Sequence, residues 1–162
     1  MRRKDREVSQ LADKLAILDQ CQVCRVAMCV NEQPYIVPLN FGYEMADSRL
    51  ILYLHGAAEG KKVDMLRQNP NVCFEVDTEH GLVGTEHVKN YSYTYASVIG
   101  FGVAEFIEEP AQKLRALQNL VEKVAGHKNF QPDEQSLKQV MVFKITCSEF
   151  TGKRRPAPEH IS

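Results

Sequence analysis

Leu50–Leu66, LILYLHGAAEGKKVDML, carries most of the information in this sequence. Leu50 to Leu54 is an apolar, β-rich run that reads as a strand, and His55 ends it. Gly56-Ala57-Ala58-Glu59-Gly60 is small and flexible enough for a tight connection. Lys61-Lys62-Val63-Asp64-Met65-Leu66 then restarts at helical spacing and stops before Asn69-Pro70. A strand, a glycine-containing turn and a helix opening on two lysines suit an anion. The first N–H groups of a helix are unpaired, and its dipole favours negative charge there. Gly60 lets a ligand approach the backbone, and Lys61 and Lys62 add full positive charge. A short solvated helix with two surface lysines fits the same letters, so from this stretch alone both readings stand.

The chain has 162 residues, which predicts one domain spanning 1–162 with a core that needs no disulfide staples. A formal net charge of −1 argues against nucleic acid or an acidic membrane as a partner. No apolar run reaches the length of a membrane span. The start MRRKDRE is basic but has no apolar core behind it, so it does not read as a secretory signal. Five cysteines without an export signal predict reduced thiols in a cytoplasm.

Outward from the central stretch, Val8, Leu11, Ala12, Leu15 and Leu18 predict an amphipathic helix near 5 to 19. Cys21 to Val30 reads as a strand covered on both faces. Pro34 to Tyr43 reads as a second strand whose two prolines, lacking N–H donors, place it at an edge or where the sheet opens. Such an opening would leave backbone groups at Leu39, Asn40 and Phe41 free for a flat ligand. Val72 to Asp77 is a further strand. Residues 78 to 92, with His80, Gly81, Gly84 and His87, read as the longest loop. Tyr91, Tyr93 and Tyr95 alternate as the chain leaves it.

Ala96 to Ile107 is a long strand in which Gly100, Gly102 and Ala104 share a face, implying a helix or ring system close to the backbone. Pro110 opens a helix that Gly126 closes, and a short helix follows Asp133. Gln139 to Phe150 is the last strand, and the tail from about 151 reads as irregular. Six strands with hairpin-length turns and two long helices predict a mainly β (α+β) fold, a small antiparallel barrel with helices outside.

Taken in order, Pro34–Tyr43, LYLHGAAEGKK, Asn69-Pro70 followed by Cys73-Phe74-Glu75-Val76, and YASVIGFGVAEF closely resemble the flavin-binding split-barrel superfamily, with a fold of the FMN-binding split-barrel type. Within it, the chain resembles the pyridoxamine 5'-phosphate oxidase-like branch, and more narrowly the nitroimidazole-resistance (Nim) proteins and their relatives, over roughly residues 5 to 155. The resemblance implies a six-stranded antiparallel split β-barrel, a homodimer, and FMN in grooves at the subunit interface. It implies that Lys61 and Lys62 hold the phosphate, with Gly60 beside them and His55 near the flavin or substrate. Pro38, Leu39, Asn40 and Phe41 would run along the isoalloxazine ring, and Ser97 and Val98 match a strand touching it from the side. Lys153, in a basic Gly-Lys segment, is a further candidate.

The implied activity is that of an FMN-dependent oxidoreductase, with a nitroaromatic compound such as a nitroimidazole as substrate and His55 as proton donor. The alternative is a flavin- or haem-binding protein of the same fold without turnover on nitro compounds. Two departures matter. Many Nim-like sequences carry a cysteine in the loop before the Tyr95 strand, where this chain has His87-Val88-Lys89-Asn90-Tyr91. The C-terminal residues do not supply the basic segment that reads pyridoxamine phosphate. Cys21-Gln22-Val23-Cys24 has metal-ligand spacing but no second pair nearby, so both cysteines read as structural and no metal is expected. His80 and His87 read as exposed loop histidines. His127, after the helix-ending Gly126, reads as structural.

Overall fold

Two-residue turns cut the apolar runs into strands. The computed structural model describes residues 3–83 and 92–156. A 3-10 turn, Lys4–Arg6, leads into β1 (Glu7–Val8) and α1 (Leu11–Gln20). The chain continues through β2 (Val23–Val30), β3 (Gln33–Ala46), β4 (Arg49–Gly56), α2 (Lys61–Gln68), β5 (Asn71–Val83) and β6 (Ser92–Phe106). It ends with α3 (Pro110–Ala125), α4 (Glu134–Gln139) and β7 (Met141–Arg155). Both early hairpins turn on two residues of positive φ, Asn31 (50°) with Glu32 (64°) and Asp47 (49°) with Ser48 (63°). Such pairs match the right-handed twist of the flanking strands.

The strand order is β1-β7-β4-β3-β2-β5-β6, and β6 also pairs with β7. The six strands β2 to β7 therefore form a ring, the mainly antiparallel split barrel that the sequence predicts. The chain divides into two compact units, one of Met1–Cys21, Glu75–Ile99 and Phe150–Ser162, the other of Gln22–Phe74 and Gly100–Glu149. In the larger unit, β3 pairs with β2 from Val23↔Asn40 to Val30↔Gln33, and with β4 from Phe41↔Leu54 to Ala46↔Arg49. β4 pairs with β7 from Leu50↔Cys147 to Gly56↔Met141.

Leu50, Leu52 and Leu54 of β4, with Phe41, Phe74, Phe143 and Ile145, are almost wholly removed from water. Each such side chain contributes about 1.5–3 kcal/mol of burial free energy. Helix α3 packs on β3 and β4. It approaches closely because Gly42 has no side chain: a Cβ there would strike the backbone of Leu120 at 2.7 Å.

In the smaller unit, α1 buries Ile17 and Leu18 completely. The Thr94 hydroxyl lies 2.6 Å from the Glu79 carbonyl, to which it donates, and Arg154 pairs with Glu79 at 2.7 Å. Four expectations need correction here. The first helix begins at Leu11, because Glu7 and Val8 pair with Lys153 and Gly152 instead of coiling. That same pairing makes the tail regular as far as Arg155, where an irregular segment from 151 was expected.

The strand after Val72 does not stop at Asp77 but runs to Val83, so 78–83 is not loop. His80 therefore sits on β5, paired with Asp77 and 6.0 Å in ring centroids from Tyr93. Residues 84–91, with Gly84, His87 and Tyr91, and residues 157–162 lie outside the described residues. The glycine face of β6 does carry bulky neighbours, but within the larger unit they are the barrel's own side chains. A Cβ at Gly100 would meet the Phe74 ring at 2.5 Å, and one at Gly102 the Ile145 Cγ2 at 2.7 Å.

Candidate functional site

The connection from β4 to α2 forms as the sequence predicts, with one extension. β4 continues past His55 to Gly56, held by His55↔Val142 and Gly56↔Met141. Ala57 to Gly60 is exposed, and Gly60 takes φ 117° at the helix start. A side chain there would strain the backbone although space around it is open. Gly60 offers no side-chain cap, and its carbonyl accepts the first helical bond from Asp64 N at 3.1 Å. The N–H groups of the first turn thus lack side-chain acceptors. Asp64 in that turn is exposed and works against an anion.

The two lysines part at the helix start. Lys61 is exposed and lays its ammonium over the Tyr35 ring of β3, 4.5 Å from the centroid. Lys62 is half-buried and folds back over Gly56; any Cβ at Gly56 would occupy the place of its Nζ. Among the described residues neither lysine has a carboxylate within ion-pair distance. Burial alone pushes the Lys62 ammonium below its ordinary pKa. His55 is half-buried beside it, and its pKa is lowered first by burial and then by the Lys62 charge. At neutral pH its imidazole is therefore neutral, which works against the expected role as proton donor. The corner brings together a half-buried cation and helix-end donors without a side-chain cap, among the described residues.

The other predicted site residues divide. Leu39 and Asn40 pair with β2 at Cys24 and Val23, while β4 pairing begins only at Phe41. Among the described residues, β3 therefore has one strand partner along Gln33 to Asn40, and alternate backbone groups on its other side have none. The prolines sit where the sheet opens, as predicted. Pro38 and Asn40 are exposed there, Leu39 is half-buried, and Asn40 donates from Nδ2 to the Gln22 carbonyl at 3.0 Å. The Phe41 side chain is fully buried, and the residue lies opposite Leu54 of β4.

Ser97 is half-buried on β6 and Val98 is wholly buried, so the Val98 side chain belongs to the core. Lys153 lies on β7 opposite Glu7, its ammonium 5.8 Å from the Tyr95 ring centroid. Burial pushes the Tyr95 phenol up, but the positive charges of Arg6 and Lys153 outweigh it and leave the phenol below its ordinary pKa. Ser97, Val98 and Lys153 all belong to the smaller unit. Sequence reasoning missed Gly56 as the seat of Lys62 and Tyr35 as the platform for Lys61. Gly56 carried a signal, a second glycine in a short turn; Tyr35 carried none. Cys21 and Cys24 are buried and not joined in a disulfide. Among the described residues no group of three His, Cys, Asp or Glu is placed to share a metal.

A family model described as pyridoxamine 5'-phosphate oxidase matches residues 11–154. The chain belongs to that family. A candidate 5-nitroimidazole antibiotic resistance protein from Bacteroides thetaiotaomicron is 32% identical, over 91% of this chain and 86% of that one, with a TM-score of 0.79. The flavocytochrome Anf3 from Azotobacter vinelandii is 24% identical over 98% and 73%, TM-score 0.79. A FAD- and haem-binding protein from Mycobacterium smegmatis is 18% identical over 95% and 76%, TM-score 0.78. The last two likenesses show the fold alone. Among curated proteins none matches this pyridoxamine 5'-phosphate oxidase family member. No helix of the described residues is long and apolar enough to cross a membrane.

Proposed function

We propose that this member of the pyridoxamine 5'-phosphate oxidase family binds FMN and serves as an oxidoreductase, with a nitroaromatic compound as the electron acceptor. The observation that carries the reading is Lys62: an ammonium half-removed from water, with no carboxylate in ion-pair distance among the described residues, at an uncapped helix start. A phosphate monoester answers each of those features. It supplies the missing negative charge, accepts from the first N–H groups of α2, and takes Lys61 as a second, more exposed cation. Gly60 keeps the approach clear. The unpartnered edge of β3 from Pro38 to Asn40 is where backbone groups could hold the polar rim of the ring.

When bound, the flavin supplies the electron transfer that no side chain here can perform. The chain's own part is to bind, orient and dry the site. His55, neutral and half-buried, can donate or accept a hydrogen bond without adding charge. Phosphate beside Lys62 would relieve part of the force depressing the His55 pKa and bring its protonated form nearer to neutral pH.

The likeness to the nitroimidazole-resistance protein, at 32% identity, supports the choice of acceptor. The expected homodimer is supported by apolar surface on β6, where Phe101 is 69% and Val103 42% exposed. A second copy is the occupant proposed for it, and sedimentation of the purified protein tests this. Five free thiols favour a reducing cytoplasm.

The test of the main reading begins with the pigment that copurifies. Oxidised-flavin absorbance, released as FMN on denaturation, supports it; a Soret band without flavin replaces it with haem binding. Reduced protein is then mixed anaerobically with a nitroimidazole. Re-oxidation no faster than that of free reduced FMN removes the nitroreductase part and leaves a flavin carrier.

A further inference from the structure

The larger unit holds a second cluster of cations, away from Lys61 and Lys62. A cavity of about 630 Å³ runs between the first turn of α3 and helix α4. Pro110, Ala111 and Leu114 form one apolar wall and Leu137 the other. A narrower cavity of about 170 Å³ shares Glu108, Lys113 and Lys138 with it and ends at Arg67 and Phe106. Together they make a trough with an apolar body and a charged end.

Three cations, Arg67, Lys113 and Lys138, and two carboxylates, Glu108 and Glu134, line the trough, with Glu134 in the wider part. Among the described residues Arg67 and Lys113 form no ion pair. Lys138 reaches Glu134 only at 3.9 Å, between side chains 80% and 94% exposed, which is a weak bond. The Arg67 guanidinium lies over the Phe106 ring, 5.7 Å from its centroid. That stacking orients a planar fork suited to a carboxylate. The wider cavity falls in the size range of small-molecule sites, which are mostly apolar with a few convergent polar groups.

We propose that this trough binds an amphipathic carboxylate, its apolar body between α3 and α4 and its anionic head at Arg67, Lys113 and Lys138. The proposal does not rest on the flavin reading. It does place a ligand against the frame of the nucleotide corner. Arg67 is in the last turn of α2, Ala58 in the loop before it, and Met141, which pairs with Gly56, lines the narrow end.

The probe is 11-(dansylamino)undecanoic acid, compared with its methyl ester, followed by fluorescence on the full-length protein. The acid is expected to saturate at one per chain and to bind at least tenfold more tightly than the ester, the effect of one charge-assisted contact. Arg67→Gln with Lys113→Gln should bring acid and ester to equal affinity. Lys61→Gln with Lys62→Gln should leave the preference for the acid unchanged. Equal binding of acid and ester to the wild type, or no saturable binding, overturns the proposal. So does an acid preference that survives the first pair of changes or disappears with the second.

Discussion

Replacing Gly56 with alanine displaces a charge without deleting it, which separates the position of Lys62 from its mere presence. The added Cβ would occupy the space of Lys62 Nζ; the next atoms are Lys62 Cε at 3.4 Å and Met141 Cε at 3.7 Å, both in flexible side chains. The ammonium therefore swings out to solvent while the strand stays paired. Gly56 is not among the glycines of positive φ, so alanine fits its backbone. Stability should hold or rise by up to about 1 kcal/mol through the unfolded chain. Lys62 regains its hydration and an ordinary pKa. His55 loses the second cause of its depression and keeps the first, burial, so its pKa rises part of the way.

One charge-assisted contact to a phosphate is worth about 1.5–3 kcal/mol, or roughly a tenfold to hundredfold change in Kd. FMN should weaken by that factor in Gly56→Ala, while riboflavin, which lacks the phosphate, should bind as before. Quenching of flavin fluorescence gives both constants, and an NMR titration of His55 reports whether the ammonium has moved. An upward shift of the His55 titration with FMN affinity unchanged would show that the charge left and the ligand did not register it. The phosphate assignment would then be wrong.

Other outcomes follow from single contacts. His55 is held below its ordinary pKa of 6.5 in the folded chain, so below about pH 6.5 the unfolded chain takes up this proton first. Stability should fall as pH drops through that window. In urea melts from pH 7.5 to 5.5, His55→Gln should lose part of the decline, and an unchanged slope refutes the assignment. Gly102→Ala would press on Ile145 Cγ2 and the Thr146 carbonyl, both at 2.7 Å. It should destabilise by about 1–3 kcal/mol, lowering Tm by several degrees in a thermal melt. Gly126 closes α3 at φ 72°. Gly126→Ala should cost about 1–2 kcal/mol, visible in the same melt, and no loss there would mean that the helix ends differently.

What the letters revealed depends on how local each cause is. Helix α2 was readable because Gly60 and Asn69-Pro70 bracket it in sequence, and α3 because Pro110 and Gly126 mark its ends. The start of α1 was not, because the partner that draws Glu7 and Val8 into a strand lies far along the chain at Gly152 and Lys153. His80-Gly81 looks like a loop until Thr94 bonds across to the Glu79 and Gly81 carbonyls. The glycines of β6 announced a close approach correctly, but a bare Cα says nothing of what approaches, and Phe74 and Ile145 fill the place foreseen for a helix or a ring system. At the candidate site the cations were visible, since charge is written in the residue type. Their separation was not. The directions of Lys61 and Lys62 are set by Tyr35 and Gly56, one of them distant in sequence. Phe41 and Val98 were named from the resemblance, and the burial of their side chains was not legible there.

The half-paired stretch of β3 has a bearing on solubility. An open ladder of eight residues invites any extended peptide to add itself as a further strand, the first step of edge-to-edge aggregation. Pro34 and Pro38, four residues apart, point their nitrogens to the same edge, and proline persists in strands where that nitrogen faces no partner. An incoming chain would meet two missing donors in that short span. The same two rings that leave the edge available to a small flat ligand thereby make it a poor template for other proteins.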